Sequence, residues 1–234
     1  MNRPAFMLAP IAAILLVATT ARAEQIESGL YLRTLYAFGN LSINTLYFGP
    51  GNKIAIDPAH GVHPIDFDAE AKDNPKNVGT YTLAGAKVNV SWGGGKPAQT
   101  LSVEFSGGKL SAFDGGLVSK AEAFPKDHKL TGQFAWGATT ANASSSRTII
   151  FAAAGTYSMT TLGGIHHVPG NNAATEKTET GSYALSGNTL TLSPANGTAV
   201  KHTVIPMNTA LDPAKAKLGD EHIIFDGINM RREK

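Results

Sequence analysis

The sequence predicts an all-β protein, with duplicated antiparallel β units forming lipocalin-like barrels or packed sheets. Three observations predict it. Short runs alternate apolar and polar residues with a period of two. Glycine-rich turns separate those runs. A block beginning at Gly79 returns, without a gap, beginning at Gly181. Alternation with period two places one residue set on each face of a strand, as a sheet with one buried face requires. Gly 25 and Pro 12 beside 42% apolar residues suit short strands joined by tight turns.

In chain order the alternating runs are Tyr81–Leu83, Lys87–Trp92, Leu101–Phe105, Thr148–Phe151, Tyr183–Leu185, Thr189–Leu192 and Val200–Ile205. Helical signals are sparse. Residues 66–74 carry enough for a turn or two, as do residues 210–218, where Asp212 and Pro213 stand at the start. The repeat aligns Gly79 through Ser91 with Gly181 through Ser193, matching Gly, Tyr, Leu, Gly and Ser. Leu46–Gly51 resembles Ile149–Gly155, and Phe113-Asp114-Gly115 returns as Phe225-Asp226-Gly227 after an insertion around 207–219. In both units this pattern predicts a strand and Gly turn, a second strand, a long polar loop, a hairpin, at least one more strand and a Phe-Asp-Gly turn. The stretch Lys120–Leu130, with Pro125 and mixed charges, marks the boundary. The expected organisation is a leader at 1–23, a first β unit at 24–124 and a second at 125–234. Closure removes exposed strand edges, and each unit is long enough to sustain its own core or half of a shared one; two packed or intertwined barrel-like units are favoured over one large barrel.

Residues 1–23 read as a secretory signal. Arg3 gives a basic start, Ala5–Ala18 an apolar run, and Ala21-Arg22-Ala23 a small-x-small cleavage site. The run is too short for the roughly 20 residues of a membrane span. The mature chain is then expected to begin at Glu24, to carry no integral span, and to reside in the periplasm or outside the cell. Arg3 and Arg22 leave with the leader, so 20 basic against 18 acidic residues becomes 18 of each. No basic cluster favours nucleic acid as a partner. With Cys 0, thiol chemistry and Cys-ligated metals are excluded.

The recurring Gly-x-Tyr-x-Leu-x-Gly hairpin, at Gly79–Val90 and Gly181–Leu192, resembles one found in lipocalin-like small exported bacterial proteins. Phe151–Tyr157 and Ile223–Arg231 resemble that group as well. The sequence departs from it in lacking a Gly-x-Trp near the first strand. The resemblance implies a β-barrel holding a small apolar molecule, and carries over no functional residue.

The segment 57–70 is the densest in chemistry, with His60, His63, Asp57, Asp66, Asp68 and Glu70. Imidazole and carboxylate suit a transition metal, and the carboxylates alone suit calcium. The alternative is a solvated loop pinned to a barrel by Ile65 and Phe67. The corresponding loop of the second unit, expected at 163–180, holds His166 and His167, so His60, His63, His166 and Asp66 form the candidate metal set. Candidate ligand-binding residues are Trp92 and Tyr81 in the first unit, Tyr183 in the second, and Trp136 in the link between them. Gly93–Gly95 lacks a phosphate-loop ending, Ser144–Ser146 lacks a nucleophile elbow, and Asp114 and Asp226 read as turn residues. No cofactor and no catalytic residue is indicated. The expected function is non-catalytic binding of a small apolar or amphipathic molecule. The alternatives are, in order, an envelope structural or protein-interaction module and a metal-dependent enzyme using the His/Asp loop.

Overall fold

The computed structural model describes residues 24–37, 39–139, 143–165, 173–207 and 221–233. The leader at 1–23, the 210–218 helical signal, His166 and His167 lie outside the described residues. The first unit contains β1 (Gly29–Ala37), β2 (Asn40–Gly49), β3 (Lys53–Ile56), the helix α1 (Phe67–Asp73), β4 (Val78–Ala84), β5 (Lys87–Trp92), β6 (Gln99–Ser106), β7 (Lys109–Phe113) and β8 (Gly116–Lys120). The second contains β9 (Gly132–Thr139), β10 (Ala143–Phe151), β11 (Thr156–Ile165), β12 (Ala173–Ser186), β13 (Thr189–Pro194), β14 (Val200–Met207), β15 (His222–Phe225) and β16 (Ile228–Arg232). Each set of eight strands is an antiparallel meander that closes on itself, β8 on β1 and β16 on β9. The protein is therefore two eight-stranded barrels built on one duplicated plan.

The duplication is physical as well as textual. Gly79 on β4 and Gly181 on β12 each lie against the strand that follows. A side chain there would run into the Ser91 or Ser193 carbonyl, so both copies keep glycine. Gly85 and Gly187 turn the next hairpin at φ 56° and 53°, and Asp114 and Asp226 both stand at φ 48° in the Phe-Asp-Gly turns. β5 shows the alternation read from the sequence, with Val88, Val90 and Trp92 inside. Phe48, fully buried, is ringed edge-on by Tyr31, Tyr81 and Phe113 at centroid distances of 5.3–5.8 Å. These rings and Leu46, Val103 and Val118 fill the first barrel. Phe134, Ile149, Phe151, Leu190, Leu192 and Phe225 fill the second, with Trp136 and Met159 packed against them.

A third apolar cluster lies between the barrels. Leu30 and Leu32 face outward from β1 and pack with Val62, Ile205 and Ile224, flanked by Ile43 and Tyr47 of β2. Burying each such side chain contributes about 1.5–3 kcal/mol.

Two expectations change. The second unit has no long polar loop over 163–180. Residues 163–165 and 173–180 continue β11 and β12, paired to Ile165↔Ala173, because alternating Thr, Glu and Lys side chains suit a strand with both faces in water. Trp136 is not in the link between units but inside β9, opposite Arg147 of β10.

Gly181→Ala and Gly79→Ala should each destabilise the protein by about 1–3 kcal/mol, since the new methyl displaces backbone rather than a flexible side chain. Denaturant unfolding checks this. An unchanged midpoint would mean the close approach is not needed.

Candidate functional site

The loop that read as a metal candidate spans β3 to β4, and three of the four acids in residues 57–70, Asp57, Asp66 and Glu70, are engaged within the protein. The Asp57 carboxylate accepts from Thr45 N at 2.7 Å and from Asn44 Nδ2 at 3.0 Å. Glu70, buried on α1, accepts from Ala59 N at 3.0 Å and His60 N at 2.6 Å. Asp66 caps α1, accepting from Asp68 N and Ala69 N. The Ala69 N–H is the main reason the Asp66 carboxyl lies below its ordinary range. His60 turns Nε2 toward the Asp73 carboxylate at 2.9 Å, without hydrogen-bond alignment. His63 lies instead against Gly187 of the second barrel. Among the described residues no three His, Asp or Glu side chains meet in an arrangement able to hold a metal ion. The strands flanking residues 166–172 meet at the opposite end of β12 from Gly187.

What the loop does is clamp the barrels. Thr189 and Thr203 are cross-strand partners on β13 and β14, both outward-facing and buried. Thr189 Oγ1 accepts from Val62 N at 2.8 Å and His63 N at 2.7 Å, and Thr203 Oγ1 donates to the Pro58 carbonyl at 3.1 Å. Asn188 holds the connection between barrels through the Glu122 carbonyl at 2.8 Å. Phe67 anchors the other end of the loop on Ala55 and Val78, with Tyr47 edge-on at 6.0 Å. Beside the clamp is a crevice of about 260 Å³ lined by Thr45, Asp57 and Pro58 on one side and Lys201, His202 and Asp226 on the other.

The four aromatic candidates divide by depth. Trp92 is buried in the first barrel, its Nε1 donating to Gln99 Oε1 at 2.7 Å, with Lys96 Nζ 4.1 Å from the ring centre. Tyr81 is core, and burial pushes its hydroxyl up. Tyr183 donates to the Leu130 carbonyl at 2.6 Å, and burial raises it too. Trp136 alone of the four stands at an opening. It is half-buried on the inner face of β9 and also borders an open pocket of about 420 Å³, with Arg231, at the seam with β16. The pairing of β16 with β9 runs from Ala135 through Phe134, continues in the Glu233 N–H bond to the Gln133 carbonyl, and does not reach Trp136.

The mouths of the two barrels differ. In the first, Arg33 follows Tyr31 on the inner face of β1. It donates through Nε to the Phe113 carbonyl at 2.9 Å and through Nη2 to the Asp114 carbonyl at 2.7 Å, and it also meets Asn44 and the Asp114 carboxylate. That arginine is satisfied by its own chain and is largely shielded from solvent. In the second barrel Trp136 takes the corresponding place after Phe134, and Arg147 stands opposite it. The Arg147 guanidinium lies 5.6 Å from the centre of the buried Phe225 ring, with His202 stacked on the same ring at 4.7 Å. Met159 and Glu179, a cross-strand pair, share this inner face, and Glu179 accepts from the Tyr157 hydroxyl at 2.6 Å. Burial first, then the Glu179 carboxylate, raises the Tyr157 hydroxyl far above its usual range. β11 and β12 continue past the last β12–β13 pair, Gly181↔Pro194, so a wall overhangs this mouth.

No family model, no curated protein and no solved structure matches the chain. Any reading of function therefore stands on this geometry.

Sequence reasoning missed Arg33, Arg147, Thr189 and Thr203. Parity carried the signal for Arg147, which is two and four residues from the inward Ile149 and Phe151. Nothing in the sequence marks the two threonines, whose burial arises only from the docking of the barrels.

Thr189→Val should cost about 1–3 kcal/mol in denaturant unfolding, because it leaves the Val62 and His63 N–H groups without their acceptor. The Asp66 cap has a signed pH dependence. Its carboxyl is lowered in the folded state, so its contribution is present above the ordinary aspartate range and lost as pH falls through the folded value. Asp66→Asn should remove this acid-side component from stability measured across the carboxylate range. A variant that loses stability in acid as the parent does would show that the cap is not its source.

Proposed function

We propose that this is an exported, non-catalytic barrel protein that binds a small amphipathic molecule at the mouth of the second barrel. The observation that carries the reading is the difference between the two mouths. The first holds Arg33, whose hydrogen bonds are made within the chain. The second is overhung by β11 and β12 and presents half-buried Trp136 and Met159 on its inner face. An eight-stranded barrel has an interior that side chains fill or that holds one small ligand, as in lipocalins, and the two halves of this chain favour one outcome each. Export to the periplasm or beyond rests on the signal read at residues 1–23. Among the described residues no helix is long and apolar enough to cross a membrane.

Titration of the mature protein with decyl maltoside, below its micelle concentration, tests the reading. Saturable binding with a change in tryptophan fluorescence is expected, and Trp136→Leu should weaken it at least tenfold while Trp92→Phe leaves it in place. Binding unaffected by Trp136→Leu would remove the second mouth as the site.

One observation favours a second reading, a partner-binding envelope module. Tyr36, Leu41 and Leu117 are exposed on the outer face of β1, β2 and β8, where Tyr36 pairs with Leu41, and they continue the apolar strip that Leu30 and Leu32 bury against the second barrel.

A further inference from the structure

We infer that the ligand of the second barrel carries an anionic head group, a carboxylate or similar oxyanion, that pairs with Arg147 while its apolar part lies along Trp136 and Met159. The inference rests on the reading of that mouth as a binding site, and it follows from the charges there. Glu179 is engaged by the Tyr157 hydroxyl at 2.6 Å and by Lys177 Nζ at 3.8 Å. Asp226 is engaged by His202 Nδ1 at 2.7 Å and by Thr203 N at 3.0 Å. Arg232, over the Phe134 ring, is tied to the Thr131 carbonyl. Arg147 is left as a half-buried cation whose contact among the described residues is the face of Phe225.

A guanidinium has five donors in a rigid fork, and a ring face engages none of them as a carboxylate would. In the corresponding mouth of the first barrel, Arg33 uses its donors on two carbonyls, an amide and a carboxylate of its own chain. The duplication thus supplies an internal comparison: one mouth holds an arginine with intramolecular acceptors, and the other presents an arginine with no acceptor among the described residues. Oxyanions meet guanidinium in the strong, paired geometry that neutral or cationic heads lack. Lys177, cross-strand from Arg147's neighbour Thr161, offsets the charge of Glu179 on the same wall and leaves that of Arg147.

The test holds the tail constant and varies the head. Decanoate, decyltrimethylammonium and decyl maltoside are titrated into the mature protein by isothermal calorimetry, each below its micelle concentration. Decanoate should bind at least tenfold more tightly than the cation, with the maltoside between them. Arg147→Met, which keeps the apolar stem, should bring the three affinities together, and Arg147→Lys should retain most of the preference. Circular dichroism melting confirms that each variant is folded. Equal affinities in the parent protein, or a preference that survives Arg147→Met, would overturn the anionic head group while leaving the binding mouth intact. Binding of none of the three would overturn both.

Discussion

An isolated barrel turns polar residues outward, yet the outer face of β1 carries Leu30 and Leu32, and β14 and β15 carry Ile205 and Ile224. Those side chains leave water only if the two barrels meet, and the rest of the molecule is arranged around that contact. The first unit's β3–β4 connection leaves the barrel plan to reach across it. Val62 enters the shared cluster, and the backbone on either side is received by two buried threonines. Apolar burial gives such an interface its strength but not its register. The hydroxyl of Thr189, accepting from two consecutive N–H groups, fixes one position of the loop, and Thr203 fixes another.

Duplication makes the exceptions informative. Where the units agree, in the close-packed glycines, the hairpin turns and the Phe-Asp-Gly corners, the residues meet demands of backbone geometry. Where they differ, geometry makes no such demand. The loop between the third and fourth strands is a clamp in one unit, while the equivalent strands run on as a long hairpin in the other. The inner-face place after the first strand's buried aromatic holds Arg33 in one unit and Trp136 in the other. The carboxylates of Asp57, Asp66 and Glu70 belong to the first kind of difference: they cap the helix or accept from backbone donors.

Much of the fold was legible because period-two alternation and glycine turns are local. Lys87–Trp92 buries every second residue as read, and the aligned blocks fall on equivalent strands. β1 did not announce itself, since Leu30-Tyr31-Leu32 is apolar on both faces and shows no alternation. In retrospect that continuity was the signal, because Tyr31 faces the barrel interior while its neighbours face the other barrel. Ile223-Ile224-Phe225 reads the same way for β15. Strands that line the contact between barrels lose the periodicity that identifies ordinary barrel strands. The 57–70 segment misled for a related reason: Glu70 and Asp57 are conspicuous in sequence, but the backbone N–H groups they satisfy have no sequence signature.

The same asymmetry bears on why a second site would arise in a duplicated barrel. A barrel filled by interlocked aromatic rings is close-packed, and opening a cavity in it would forfeit contacts on every side. The first barrel is of this kind, and its arginine is satisfied by its own chain. The second needs less from its own packing, because its outer face and its β12–β13 turn are held by the first unit. Beside that support β11 and β12 extend past the pairing of β12 with β13, and the Arg147 guanidinium stands over a buried ring with no acceptor among the described residues. On this argument the first barrel and its clamp act as the scaffold, and the mouth of the second is where a guanidinium stands with no acceptor among the described residues.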